Sequence, residues 1–348
     1  MPDVSQAPPV ARWRRSLHQS VDRNVVASAK GVLVTGERSS RLVRLDPATG
    51  DALWETRVED LWGVLVTRGD VTVYLSQAGT LTCFSTADGS LRWSRAAYRH
   101  GDFLTLAGDH VVAGGWRGYR PMERLRLADG LADPWPDPSW GAAADLPRRR
   151  RWEVTWPAGL PGTPLVATQP VGTRDVRIVD VSDGRLVHCV DVGGEVRGVD
   201  RERVMAAVAG GWVLVVDDGA GTRDVVRLGA DGAVARLQSG TRVAGAQDVT
   251  VSDDRLWWAV ADAVWSAPLT EGGECVRVPV PERPVALAGW PGGSCVVALR
   301  GHGAVVVDPT GRTVGRLADP PRVQTMVGTG EGRVHVVGNG VIATLVAD

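Results

Sequence analysis

The stretch "LDPATGDALW" at 45–54 returns as "FSTADGSLRW" at 84–93, each with a turn, a Gly and, four residues later, a Trp. Variants surround Gly130 ("LRLADGLADPW"), Gly184 ("VDVSDGRLVH"), Gly232 ("VRLGADGAVAR") and Gly311 ("VVVDPTGRTVGR"), and a more divergent copy, "PLTEGGECVR", surrounds Gly272 and Gly273. Self-similarity at about forty residues restricts a chain to repeat architectures. Before most of these turns lie two short Val-rich runs, such as "WGVLVTRGD" and "VTVYLSQAG". Short β-branched runs bounded by Gly or Asp read as strands joined by tight turns. The Asp/Thr-Gly turns have a direct cause: a hairpin matched to the strand twist needs positive φ at a central position, where Gly is least penalised. No helical period is sustained long enough to compete.

Four antiparallel strands per unit make one blade, and blades that are apolar on both faces must stack against neighbours, which predicts a β-propeller. Seven units are complete, at about 25–58, 61–97, 103–137, 151–192, 196–239, 247–281 and 284–318. The terminal "QTMVGTGEGRVHVVGNGVIATLVAD" supplies three strands more. The fourth is expected from the other end of the chain, where "VARWRRSL" places Trp13 as "ALWETRV" places Trp54 and "LRWSRAA" places Trp93. The expectation is all-β: one eight-bladed β-propeller over 1–348, closed by the strand at about 10–17, with seven blades as the alternative. Closure removes exposed sheet edges. The Gly130–Gly184 interval is stretched by an insertion at about 134–152.

With 348 residues, 44% of them hydrophobic, the chain can bury a large core. Its 39 basic residues against 40 acidic ones create no field for nucleic acid or an anionic membrane. Lys30 is the single lysine, so a phosphate loop ending in Gly-Lys-Ser/Thr is excluded. The N-terminal sequence has no apolar run of signal-peptide kind, and no window suits a membrane span, so a cytoplasmic location is expected. Cys83, Cys189, Cys275 and Cys295 lack CxxC spacing and are expected as buried reduced thiols, with no metal.

The unit D-x-x-x-G-x-x-x-W, intact as Asp46, Gly50 and Trp54 and eroded as Gly89 with Trp93, resembles the pyrroloquinoline-quinone-like propeller repeat. The resemblance implies outer-strand tryptophans packed on the neighbouring blade, and the eight blades usual in quinoprotein dehydrogenases and in the outer-membrane assembly lipoprotein. Trp135 falls one place late after Gly130, and His188, Arg236 and Arg277 occupy the corresponding place elsewhere, so weakened docking is expected in the later blades. No adjacent Cys-Cys pair of the quinone-binding kind is present, so no cofactor is expected.

Propeller sites usually form at the axis mouth, on loops held by a rigid scaffold. There "WRGYRP" brings Trp116, Arg117, Tyr119 and Arg120 into one turn, with Arg300 from "RGHG" as a further cation. Such a set offers bidentate donors for a carboxylate or phosphate and faces for stacking; the plainer reading is a solvated turn. The insertion carries Trp140 beside Arg148, Arg149, Arg150 and Arg151, which can dock an acidic partner surface, or is merely packed on the surface. One four-Arg run without wider basic bias is a weak case for nucleic acid. His100 with Asp102, or His302, could serve as acid and base. In "HGDFLTLAGDH", the pair His100 and Asp102 should sit across a strand from Asp109 and His110, against a shared metal site.

The expected function is therefore a monomeric binding or scaffolding module, presenting its channel mouth to a protein partner or an anionic small molecule, without membrane contact. The alternative is a cofactor-independent lyase or cyclase whose mouth histidines act on a substrate held by Arg117, Arg120 and Arg300.

Overall fold

The structure, a computed structural model, describes residues 10–16, 26–29, 32–37, 40–60, 63–97, 101–115, 121–141, 154, 157–196, 205–217, 219, 223–241, 246–260, 262–270, 273–300, 303–317, 323, 325–330, 332–338 and 341–346. The first strand, β1 (Val10–Ser16), precedes eight antiparallel sheets. The first sheet is β2 (Val26–Ala29), β3 (Val32–Glu37), β4 (Arg41–Leu45) and β5 (Ala52–Arg57); the second is β6 (Val64–Arg68), β7 (Val71–Leu75), β8 (Thr80–Ser85) and β9 (Leu91–Ala96). The third has three strands, β10 (Gly101–Ala107), β11 (His110–Gly115) and β12 (Glu123–Arg126). The fourth is β13 (Ala158–Gly159), β14 (Leu165–Thr168), β15 (Asp175–Asp180) and β16 (Arg185–Asp191). The fifth comprises β17 (Glu195–Val196), β18 (Met205–Val208), β19 (Gly211–Asp217), β20 (Arg223–Gly229) and β21 (Val234–Thr241). The sixth is β22 (Ala246–Ser252), β23 (Arg255–Val260), β24 (Ala263–Pro268) and β25 (Val276–Pro279), and the seventh β26 (Pro284–Trp290), β27 (Ser294–Leu299), β28 (Gly303–Val307) and β29 (Thr313–Leu317). The eighth is β30 (Thr325–Gly330), β31 (Arg333–Gly338) and β32 (Val341–Val346), completed by β1 as its outermost strand. The fold is an eight-bladed β-propeller. Among the described residues no helix is long and apolar enough to cross a membrane.

The expected closure is present. β1 runs antiparallel to β32 from Val10 opposite Val346 to Ser16 opposite Val341, so the two chain ends share the eighth sheet. Uniform four-stranded blades are not observed: the third has three strands and the inner strand of the fifth is in two pieces. In the third, the segment after Gly130 reads "LADPWPDPSW", and its prolines at 134, 136 and 138 lack the N–H that a ladder needs. Only the bridge Leu125–Ala132 remains of the outer strand.

By backbone proximity the chain divides into two units, one of Met1–Leu61, Thr86–Gly89 and Gly245–Asp348, the other of Trp62–Ser85 and Ser90–Ala244. In the first, Trp257, Val264, Leu287 and Val297 form a core between the sixth and seventh sheets, and Trp290, Val306, Val334 and Val336 one between the seventh and eighth. Leu33, Val43, Val337 and Ile342 join the eighth to the first, with Trp13 against them. In the second unit, Leu75, Leu81, Leu104 and Leu125 pack the second sheet on the third. Phe103, Val112, Val166 and Val179 pack the third on the fourth, and Ile178, Trp212, Leu214 and Val226 the fourth on the fifth.

The repeated turn shows what the motif does. Asp46 Oδ1 accepts the Ala48 and Thr49 N–H groups at 2.7 and 3.3 Å, and the Gly50 N–H donates to Asp46 O at 2.8 Å. Gly50 has φ +77°, and a Cβ there would come within 2.5 Å of Trp13 Cε3, so both conformation and contact demand glycine. The indole lies on the turn and its Nε1–H donates to Pro47 O at 3.0 Å. Trp54 repeats the arrangement on Gly89, donating to Thr86 O at 2.8 Å, and Trp93 on Gly130, donating to Leu127 O at 2.8 Å.

A β-bulge precedes each of these tryptophans. The ladder skips Arg12 before Trp13, Leu53 before Trp54 and Arg92 before Trp93, and likewise Val187 before His188. An extra residue bends an outer strand and re-aims the next side chain. The bulge turns the docking residue onto the following turn.

At three turns that no tryptophan reaches, another side chain lies on the glycine, so the weakening expected from the sequence does not hold there. A Cβ on Gly184 would meet Pro136 and the Arg124 guanidinium, one on Gly232 would meet the His188 ring, and one on Gly311 would meet Val276 and Val278. The chain substitutes other side chains for the indole.

His335, on β31, is buried in the eighth blade, hydrogen-bonded through Nδ1 to Thr344 Oγ1 at 2.6 Å and 5.8 Å from the Trp13 ring. Burial, with the Arg333 charge, lowers its pKa to about 4 from an ordinary 6.5. The folded value is depressed, so the stability it confers is complete above pH 6.5 and is lost as pH falls towards 4. Urea midpoints between pH 7 and 4 should reveal a loss on the order of 3 kcal/mol that His335→Gln abolishes. Trp13→Ala should cost about 2–3 kcal/mol in the same assay at pH 7, below the range for a fully buried aromatic because the indole is half-buried; an unchanged midpoint would show that β1 does not hold the eighth blade.

Candidate functional site at the edge of the third blade

Where the third blade lacks an outer strand, side chains take over its hydrogen bonds. The Arg126 N–H donates to Leu131 O at 3.0 Å and the Asp133 N–H to Arg124 O at 2.9 Å, after which the prolines end the pairing. Trp135 then turns inwards and its Nε1–H donates to Met122 O at 2.5 Å. The edge is thus satisfied by an indole in place of a backbone amide.

Arg124 is the centre of this region and is almost completely buried. Its Nε–H donates to Asp133 O at 2.9 Å, Nη2–H to Pro134 O at 3.1 Å and Nη1–H to Val181 O at 3.1 Å, and Nη2 is 2.7 Å from Asp133 Oδ1. Its guanidinium also lies over the Trp135 ring, 5.3 Å from the centroid. The other Asp133 oxygen meets His110 Nε2 at 2.9 Å. Burial raises the Asp133 carboxyl, but the His110 hydrogen bond and the Arg124 charge and hydrogen bond outweigh it, and the group titrates below the ordinary carboxylate range. Both carboxylate oxygens and all three guanidinium nitrogens are engaged. This chemistry clamps chain segments and leaves no free base at Asp133.

The clamp fixes the root of the insertion. Trp135 and Trp140 meet edge to face, with centroids 5.0 Å apart, and Trp140 sits on the core formed by Phe103, Val112, Val166 and Val179. At 8% exposure Trp140 is an anchor, and its ring is not offered at the surface. Arg148, Arg149, Arg150 and Arg151 follow it in sequence and lie outside the described residues, as do Trp116, Arg117, Tyr119, Arg120, His100 and His302.

Asp102 and Arg300 lie within the described residues. Asp102 is the residue skipped by the ladder in β10, between Gly101 opposite Gly115 and Phe103 opposite Gly114. It stands at the other end of the β10–β11 hairpin from His110, which is opposite Ala107, as the strand count required. Arg300 is exposed in the turn after β27, and its N–H donates to Arg283 O at 3.0 Å. No group of three or more metal-ligating side chains occurs among the described residues. All four cysteines are free thiols, with Cys83 and Cys295 buried as expected; Cys189, however, is exposed, because the outer strand β16 turns it to solvent.

The sequence reading passed over two elements. Arg124 lies in an ordinary strand run, with no local sign that it would replace a tryptophan. The break between β17 and β18 had a signal, since the Gly184–Gly232 interval is 48 residues against 39 and 41 for the first two intervals.

Eight blades, six of them with an indole or a stand-in from a neighbouring blade lying on the turn glycine, define an eight-bladed β-propeller whose repeat resembles the pyrroloquinoline-quinone-like one. Residues 10–118 match the family model described as outer membrane protein assembly factor BamB. The fold is similar to BamB from Moraxella catarrhalis, at TM-score 0.67 and 14% identity over 98% of both chains. It is also similar to the computationally designed Ika8 protein, at TM-score 0.67 and 16% identity over 93% of this chain and 95% of that one. Sqt1 from Saccharomyces cerevisiae shares it at TM-score 0.67 and 8% identity over 99% and 98%. A search of the curated proteins gave no match.

Arg124→Ala should lower stability by about 3–5 kcal/mol, because it leaves the Asp133 charge and three carbonyls without their donor. Arg124→Lys should recover less than half of that, since an ammonium cannot reproduce the fork. Equal urea midpoints for the lysine variant and the parent would refute the clamp.

Proposed function

We propose that the protein is a binding and scaffolding module that holds a protein partner, through the Arg148–Arg151 segment and through a channel-mouth surface bearing Trp116, Arg117, Tyr119, Arg120 and Arg300. The observation that carries this reading is the match of residues 10–118 to the model of an assembly factor, a class of protein that works by holding others. The anchoring of Trp140 and Trp135 supports it. A basic segment that follows a rigid root loses less freedom on docking, which improves affinity without added contacts.

The reading further places the module in the cytoplasm, acting as a monomer. Four free cysteines suit a reducing compartment, where thiols do not pair. An anionic small molecule at the mouth, held by Arg117 and Arg300, is a second occupant of the same surface, and no described group favours the lyase or cyclase reading over these.

The test uses full-length protein, immobilised and exposed to extract of the native host. A discrete bound protein should be lost by roughly tenfold or more when Arg148, Arg149, Arg150 and Arg151 are all replaced by Glu, and weakened by Arg117→Ala, with circular dichroism unchanged. Retention of the same partner by both variants would move the contact surface elsewhere.

A further inference from the structure

We infer that the rim formed by the outer strands of the seventh, eighth and first sheets is a docking surface for an acidic protein segment. It is built from β29, β1 and β5, all in the first unit, and shares no residue with the surfaces proposed above. Its ground is the pairing of arginines. Every arginine of the outer strands β9, β16, β21 and β25 has a carboxylate beside it: Arg92 reaches Asp70 at 2.7 Å, Arg95 Glu123 at 4.0 Å, Arg185 Asp183 at 2.5 Å, Arg236 Asp224 at 3.1 Å and Arg277 Asp262 at 3.2 Å. Arg316 of β29, Arg14 of β1 and Arg57 of β5 are exposed, and none has a carboxylate partner among the described residues. Three consecutive blades thus leave positive charge uncompensated at their outer edge.

The three strands are neighbours. Val314 of β29 packs on the core shared by the seventh and eighth sheets, and Trp13 of β1 lies on Gly50, in the turn that leads into β5. Arg14 and Arg316 hold the same place in their repeats. The ladder skips Arg12 in β1 and Val314 in β29, and each of the two arginines stands two residues after the skipped one. In β5 that place belongs to Glu55, whose charge Arg41 takes up at 2.7 Å, and Arg57 follows two residues on.

Neighbouring acids do not cancel the charge. Asp308, before β29, is held by Arg312 at 3.1 Å, and Asp51, before β5, accepts the Thr49 hydroxyl at 2.9 Å. Glu59 and Asp60, after β5, have interactions of their own within the chain. Charge on an outer strand also guards its edge against pairing with a like strand. Paired charges serve that purpose on the other outer strands, so guarding does not account for unpaired ones of a single sign on adjacent blades.

The chemistry selects the occupant. A guanidinium presents a planar fork that a carboxylate fills with two parallel hydrogen bonds. Leu53, on β5, is 51% exposed, and no other large apolar side chain is so exposed among the described residues of this unit. A segment with an apolar residue between carboxylates covers Leu53 and meets the arginines together. Nucleic acid fits less well, because its binding draws on about 6–10 phosphate contacts and three arginines, one to a blade, supply too few. The occupant is therefore a protein segment rich in Asp and Glu.

The test places a photo-crosslinking benzoylphenylalanine in the full-length protein in the native host, at the exposed Thr313 of β29 or, as control, at the exposed Ser94 of β9. The expected result is a protein adduct at Thr313, absent at Ser94, whose linked peptide carries net negative charge by mass spectrometry. Arg14→Glu, Arg57→Glu and Arg316→Glu together should reduce the adduct by about tenfold, with the urea midpoint unchanged. Should that variant prove unstable, Arg14→Gln, Arg57→Gln and Arg316→Gln together carry the test, with a smaller loss expected. An adduct indifferent to these changes, a linked peptide without acidic excess, equal labelling at Ser94 or no adduct at all would overturn the inference. A nuclease-sensitive product would assign the rim to nucleic acid and overturn it too. The same crosslinker at Arg149 reports on the surface proposed earlier, so an adduct there with none at Thr313 strikes down the rim alone.

Discussion

Six of the eight blades are held by a side chain from the preceding blade lying on the glycine of the turn. Strands that fan out from a common inner edge separate towards the outside, so the outer gap needs a large filler. An indole supplies about 150–250 Å² of apolar surface and one N–H for a carbonyl at the far side. Trp13, Trp54 and Trp93 do this on Gly50, Gly89 and Gly130. The glycine has positive φ and leaves no room for a Cβ, and the bulge before the tryptophan supplies the direction. Turn, bulge and docking side chain form a unit, and the bulge at Val187 serves His188 over Gly232 as the others serve tryptophan.

The third blade shows what the fold requires when the outer strand is written in prolines. Arg124 moves into the role from the neighbouring strand and bonds Val181 O, the carbonyl three residues before Gly184, just as Pro47, Thr86 and Leu127 precede their own glycines by three. Its burial brings a charge into the interface, and Asp133, paired in turn with His110, neutralises it. A buried ion pair of this kind gives little net stability compared with an apolar filler. It does fix geometry, and the geometry fixed is the root of the insertion. The clamp and the root of the insertion thus coincide in one cluster, where the chain departs most from its own repeat.

The blade count and the closing strand were legible in the sequence because Gly and Trp leave marks: no other residue meets the demands of Gly50, and Trp13 sits in its copy of the motif as Trp54 does in the next. The bulges were not legible, because the skipped residues Arg12, Leu53, Arg92 and Val187 have no chemistry in common. A bulge is a property of the backbone, tolerant of any side chain that can face solvent. Arg124 was hidden for a different reason: in a chain whose basic residues are nearly all arginine, one more in a strand carries no signal. Of the residues named for the mouth, Asp102 and Arg300 alone fall within the described structure, and the clamp at the third blade was not foreseen.

The choice of stand-in follows from the turn, and the turn is written in the sequence. In "DPATG" the Gly50 N–H reaches back four residues to Asp46 O, and the same four-residue reach joins Gly130 to Arg126 and Gly184 to Asp180. That bond leaves the carbonyl three residues before the glycine without a partner in the turn, and the docking residue must be a donor: Trp, Trp and Arg. In the shorter "DPTG" the Gly311 N–H bonds Asp308 O, three residues back, and Gly232 bonds Gly229 O in the same way. The carbonyl is then already satisfied, and His188 or Val276 suffices as a cover. One residue of turn length therefore decides whether the preceding blade must offer a hydrogen bond or only a surface, and the loss of tryptophan over Gly232 and Gly311 goes with a change of turn.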